Sequence, residues 1–199
     1  MILEGLVTTT NADGTPHIAP MGPRVEAGCD TLTLRPFRTS TTFANLVRRG
    51  EGVFHVTDDV ELLARAAVGR LDSLPPMVRC RGVEGWILAD ACRWLAFRVR
   101  TAETADERAT FVVDVVDRGT LREFFGFNRA KHAVVEAAIL ATRVHLLSRE
   151  DITEQFARLE PWVAKTGGAA ERRAFDFLTE YVQHTPFVAG TPRLQEETH

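Results

Sequence analysis

The spacing of hydrophobic and polar positions alternates between strand and helix periods along the chain. Residues 2–9 are rich in aliphatic and β-branched side chains and run into Asn11-Ala-Asp-Gly14, which predicts a strand entering a hairpin. Gly14 supplies the left-handed residue that closes such a turn. Pro16–Met21 is the return strand, although Pro16, Pro20 and the following Pro23 bring no ladder donor. The TLTLRP of 31–36 alternates with the period of two of a half-buried strand. From Thr39 four hydroxyl residues lead into Phe43, Leu46 and Val47 at helical spacing, and Gly50 stops the run. Residues 52–57 predict another strand, and Asp58-Asp59 cap a helix over 60–68. Residues 69–81, containing Pro75-Pro76, read as a loop. Three more strands are predicted over 85–89, 93–101 and 110–116, the last two joined through polar 103–108.

After Gly119 the strands stop. Residues 130–147 carry Ala133, Val134, Ala137, Ala138 and Ala141 at helical spacing. Ser148 caps a helix over 152–165, with Glu150 and Asp151 in the first turn, where the helix dipole favours acids. Gly167-Gly168 breaks it, and 171–183 forms a last helix. The pattern divides the chain into a β-rich domain over 1–122, a helical domain over 123–188 and a flexible tail over 189–199.

Composition narrows the function classes. The 199 residues are 45% hydrophobic and 26% charged, a globular balance with a net charge of -3. No basic face is evident, which argues against nucleic-acid binding. Cys29, Cys80 and Cys92 are widely spaced and form no C-x-x-C or Cys/His pattern, so no metal site is expected. MILEGLVTTT lacks the flank and length of a signal peptide, and no stretch approaches the roughly 20 apolar residues of a membrane span. A soluble, cytoplasmic protein is expected.

The chain contains no P-loop, no G-x-G-x-x-G after a strand, no G-x-S-x-G and no H-E-x-x-H. Its strongest constellation is LRPFRTSTTFAN, from Leu34 to Asn45. Arg35, Arg38, Thr39, Ser40, Thr41 and Thr42 gather at the mouth of a helix, where free N–H groups and the dipole bind phosphate and arginines add charge-assisted contacts. Ordinary capping is the alternative; four hydroxyls with two arginines favour a phosphate monoester. A second constellation, FGFNRAKH, has Asn128 as N-cap and Arg129, Lys131 and His132 in the first turn, where they oppose the dipole. Either they meet an anion or they pair with acids of a neighbouring chain. His55, His145 and His184 stand alone and read as structural; His17 has no partner either.

Taken together, ILEGLVTT with DGTPHIAPMGP, LRPFRTSTTFANL, GVFHVTDDVELLARAA and FGFNRAKHAVVEAAILATR resemble domain-of-unknown-function family 447, within the flavin-reductase-like and pyridoxamine-phosphate-oxidase-like split barrels. The resemblance implies a mainly β fold, a six-stranded antiparallel Greek-key split barrel with short helices, followed by a small α-helical unit. It implies a homodimer holding FMN at the subunit interface. The phosphate would lie at Arg35, Arg38, Thr39, Ser40, Thr41 and Thr42, with Asn45 in support. Pro20, Met21 and Thr8 or Thr9 would face the isoalloxazine ring, and Asn128 and Arg129 would complete the site from the partner. The only tyrosine is Tyr181, so the chain is short of the aromatic residues that many relatives stack on flavin.

The resemblance also implies an FMN-dependent oxidoreductase, with NADH, NADPH, F420 or a pterin as candidate electron donor and the substrate unspecified. The cofactor would carry hydride or electrons while the protein positions it, so no catalytic side chain is required. A non-enzymatic flavin carrier or sensor dimer is the competing class. Haem, used by other proteins of this fold, would need His55 or His132, and no motif supports either.

Overall fold

The computed structural model describes residues 1–187; the expected tail over 189–199 lies outside them. Nine strands and five helices follow in the order β1 (Gly5–Thr10), β2 (Pro16–Met21), β3 (Arg24–Val25), β4 (Thr31–Leu34), α1 (Thr41–Arg49), β5 (Glu51–Val56), α2 (Val60–Ala67), β6 (Met77–Arg79), β7 (Trp86–Leu88), β8 (Arg93–Glu103), β9 (Thr110–Thr120), α3 (Arg129–Ala141), α4 (Arg149–Thr166) and α5 (Ala169–His184). They divide into two units, one over Met1–Asp59 and Asp72–Phe125, the other over Val60–Leu71 and the residues from Gly126 on.

The first unit is a curled antiparallel sheet in the order β2-β1-β5-β8-β9-β4-β3. Six full strands are those of a split barrel, and the two-residue β3 is a short addition. The chain start links the sheet's two ends. Residues 5–10 pair with β2 and β5, while Ile2 bridges Arg24 and the Leu3 N–H donates to Pro23 O at 3.1 Å. This second pairing is why the first strand, expected over 2–9, begins only at Gly5. Inside the curl, Val7, Leu32, Leu34, Leu46, Phe54, Phe97, Phe111 and Val113 form a continuous core. The segment read as a loop over 69–81 contains β6, which pairs with β7. That hairpin lays Cys80, Val83 and Ile87 over Val53 and Ala96 as a second, smaller core.

The prolines of β2 suit its place at the end of the sheet. The Asn11 N–H donates to Thr15 O at 2.8 Å, which fixes the alternation of the β1–β2 ladder. Pro16, Ile18 and Pro20, opposite Thr10, Thr8 and Leu6, then occupy positions whose N–H would point away from β1. The ladder is carried by His17, Ala19 and Met21. The outer edge keeps one N–H, that of Ile18, which blunts it against pairing with another strand.

In the second unit α3 packs on α4, and α2 packs on α3 and α5. Val60, Leu63, Ala64 and Ala66 make up the buried face of α2, so this helix joins the helical unit although its sequence lies within the span of the barrel. Ala130, Ala133, Ala137, Ala138 and Ala141 are all buried along α3, as close helix packing requires. The helix expected to reach 147 stops at Ala141. There the Thr142 hydroxyl donates to Ile139 O at 2.7 Å, and the chain continues in tight turns. No described helix is long and apolar enough to cross a membrane.

Candidate functional site

Pro36 ends the β4 segment because it has no N–H to continue the ladder. The turn that follows is closed by Ser40, whose N–H and hydroxyl donate to Phe37 O at 2.9 and 2.7 Å. The same hydroxyl accepts from the Phe43 N–H at 3.2 Å, making Ser40 the N-cap of α1. Gly50, at φ 68°, caps the other end. Ser40 is therefore committed to the helix. The N–H groups of Thr41 and Thr42 have no acceptor among the described residues, so both orphan donors open at the helix mouth.

The side chains around this mouth are equally available. Thr39 and Thr41 are exposed and their hydroxyls make no hydrogen bond among the described residues. Thr42 is only 2% exposed, and its hydroxyl has no partner there either. Among the described residues Arg35 is exposed with no partner, and the Arg38 guanidinium reaches only a carbonyl, Ala105 O at 3.3 Å. The first turn of α1 holds no acidic residue. Two free amides, a helix dipole and two guanidinium groups with no ion pair among the described residues are the kind of arrangement that can hold an anion.

Asn45, one turn deeper, is a rivet between α1 and β1. Its Nδ2 donates to Thr9 Oγ1 and to Asn11 Oδ1, both at 3.0 Å, and its Oδ1 accepts from Arg48 at 3.2 Å. Arg48 also donates to Thr10 O. Asn45 is 4% exposed and Thr9 fully buried, so this group fixes the position of α1 against β1. Thr8 points to the other side of β1, donating to Trp86 O at 2.5 Å, as Thr10 does to Glu84 O at 3.0 Å. Pro20 and Met21 are half-buried on β2, and Met21 packs on the barrel core.

Asn128 and Arg129 belong to the helical unit. Asn128 caps α3, accepting from the Lys131 N–H at 3.1 Å and donating to Thr166 O at 3.1 Å. Lys131 resolves the basic first turn in a way the sequence reading did not foresee. It pairs with Glu171 of its own chain at 2.8 Å, and Glu171 also receives the Gly168 N–H at 2.9 Å. Burial pushes the Glu171 carboxyl up, but Lys131 and the capping N–H groups leave it below the usual range. His132 lies against Phe127. Arg129 is exposed and has no partner among the described residues.

His55 is fully buried, with Nδ1 3.2 Å from Leu6 O and Nε2 accepting from the Leu88 N–H at 3.2 Å. Burial lowers its pKa from 6.5 to about 4, and the ring is neutral and structural. Burial also lowers the pKa of half-buried His17. Two arginines at the site escaped the sequence reading. Arg48 sits three residues after Asn45 on the same helix face, and that spacing was its signal. Arg108 lies in the stretch read only as a polar connection, yet it bridges to Phe37, and its guanidinium sits 4.2 Å from the Phe37 ring centre.

Among curated proteins none matches the chain. A solved FMN-bound protein from Methanosarcina mazei, itself assigned to DUF447, superposes with a TM-score of 0.77 at 24% identity, covering 90% of this chain and 94% of its own. A flavin reductase domain protein from Arthrobacter sp. FB24 gives 0.51 at 22% identity, covering 61% and 79%. Flavoredoxin from Methanosarcina acetivorans gives 0.52 at 14%, covering 60% and 68%. These likenesses show the split-barrel fold. The family model described as "Protein of unknown function (DUF447) N-terminal domain" matches residues 3–122, and "Protein of unknown function (DUF447)" matches 128–180. The chain belongs to the DUF447 family.

Proposed function

We propose that this protein is an FMN-binding flavoprotein, acting as an oxidoreductase on a small substrate, with the FMN phosphate at the mouth of α1. The observation that carries this reading is that, among the described residues, the Thr41 and Thr42 amides have no acceptor and neither Arg35 nor Arg38 has an ion pair. The FMN-bound relative from M. mazei supports it, since that protein shares the fold over 90% of this chain. When bound, FMN supplies hydride or electron transfer. The chain's own part is to bind and orient. Thr39, Thr41 and the arginines hold the phosphate, and the Asn45–Thr9–Arg48 group keeps α1 fixed against β1. Pro20 and Met21 offer a half-buried surface for the ring. The reading includes a homodimer, in which Arg129 is the helical-unit residue available to a second copy because Asn128 is committed to its cap.

The test begins with the visible absorption of the purified protein and a titration with FMN. Replacing Thr39 and Thr41 with alanine leaves the Ser40 cap in place and weakens FMN binding at least tenfold, about 1.4 kcal/mol. A colourless preparation that takes up no FMN refutes the reading. Anaerobic mixing of the holoprotein with NADH and NADPH then separates an enzyme from a carrier. Bleaching of the flavin by either donor supports the oxidoreductase.

A further inference from the structure

The residues that join β8 to β9 are stitched to the phosphate turn. The Arg38 N–H donates to Glu107 O at 3.0 Å, the Ala109 N–H donates to Pro36 O at 3.1 Å, and Phe37 bridges Arg108. Arg38 adds its guanidinium contact to Ala105 O. This brings a third arginine beside the turn. The Arg108 guanidinium sits over the ring of Phe37, itself 42% exposed, with 4.2 Å between the guanidinium carbon and the ring centre.

The stack determines what Arg108 can do. A guanidinium engaged through its face keeps its N–H donors in the plane of the group, free for an anion. Glu103, Asp106 and Glu107 lie on or beside the same connection, yet none pairs with Arg108, which has no ion pair among the described residues. Arg35, Arg38 and Arg108 thus place around one short turn three cations that have no ion pair among the described residues. A neutral ligand offers such a group plain hydrogen bonds, whereas a phosphate dianion also neutralises its charge.

We infer that Arg108, held by Phe37, is a phosphate-recognition residue that makes the site select a phosphorylated flavin over the unphosphorylated one. The inference rests on the FMN reading of the α1 mouth and adds to it a residue from a different element and a specificity. Arg108 acts on the phosphate alone, so its removal affects FMN and leaves riboflavin, which shares the ring and ribityl chain, unaffected.

The test is a titration of the full chain with FMN and with riboflavin, for wild type, Arg108→Ala, Arg108→Lys and Phe37→Leu. Arg108 is exposed, and thermal melts confirm that each variant is folded. Arg108→Ala is expected to weaken FMN at least fivefold and riboflavin less than twofold, reducing the preference for FMN. Phe37→Leu, which keeps the cation and removes the stack, is expected to fall between wild type and Arg108→Ala, as is Arg108→Lys. FMN affinity within twofold of wild type in Arg108→Ala overturns the inference while the FMN reading stands. An equal loss for both flavins overturns it too. Wild-type protein that binds neither flavin refutes the underlying reading and the inference with it.

Discussion

Mild acid is a direct probe of the barrel interior, because His55 is buried in its neutral form. In that form both ring nitrogens are used, Nδ1–H donating to Leu6 O and Nε2 accepting from the Leu88 N–H. Protonating Nε2 sets two donors against each other inside the sheet. The folded pKa is about 4 and the unfolded value 6.5, so between these pH values the unfolded chain binds the extra proton. Stability therefore falls as pH falls through that window. The full loss approaches about 3 kcal/mol, and between pH 7 and pH 5.5 the same two pKa values give roughly 1.2 kcal/mol. Glu51 and Glu171 have folded values below 4.5 and lose their contributions further down. Urea unfolding at pH 7, 6 and 5.5, followed by tryptophan fluorescence, measures the slope, since Trp94 stands opposite His55 on β8. His55→Gln costs roughly 1–3 kcal/mol at pH 7 by disturbing two buried hydrogen bonds, but it flattens the slope. His17 titrates in the same direction and cancels in the comparison. Parallel profiles for wild type and His55→Gln refute the neutral buried histidine.

Two further expectations concern ion pairs. Asp58, with its side chain 8% exposed, accepts two bonds from Arg122, at 3.1 and 2.5 Å, and one from the Phe125 N–H at 2.8 Å. Asp58→Asn weakens this clamp at a cost of about 2 kcal/mol, reduced from a fully buried pair because Arg122 is partly exposed; trypsin then cuts after Arg122 faster than in wild type, and an unchanged cleavage rate refutes the clamp. Glu171 has a depressed folded pKa, so its contribution is present above the unfolded value and lost as pH falls through the folded one. Glu171→Ala breaks the Lys131 pair and the Gly168 N–H bond together, costing about 1–3 kcal/mol; hydrogen exchange in the first turns of α3 and α5 rises, and unchanged protection there refutes the role.

Much of the barrel is legible in the sequence because its elements are short and sharply punctuated. Pro36, the hydroxyl run and Gly50 mark α1 almost to the residue, and Ser40 and Ser148 cap the helices they precede. What escaped depended on distant partners. The strand expected over 85–89 is β7, but its three-residue partner β6 falls in the stretch read as a loop, and the hairpin they form covers Val53 and Ala96. The destination of α2 follows from its buried face, which a linear division of the chain cannot assign. The Lys131–Glu171 pair spans forty positions, and Arg108 reaches Phe37 only through the sheet.

The three threonines of β1 show why site residues are harder to read than elements. Thr8, Thr9 and Thr10 are all buried, so no exposed face distinguishes them. The pleat alternates their side chains, and their partners differ accordingly. Thr8 and Thr10 tie β1 to the Trp86 and Glu84 carbonyls, while Thr9 receives Asn45 from α1. The proline-bearing β2 beside them supplies a protected edge, with Pro16 and Pro20 where no ladder donor is needed. β1, tied to α1 on one face and to the β7 hairpin on the other, fixes the helix mouth. On the proposed reading, ligand selection passes to the Thr41 and Thr42 amides at the helix mouth and to Arg35, Arg38 and Arg108, none of which has an ion pair among the described residues.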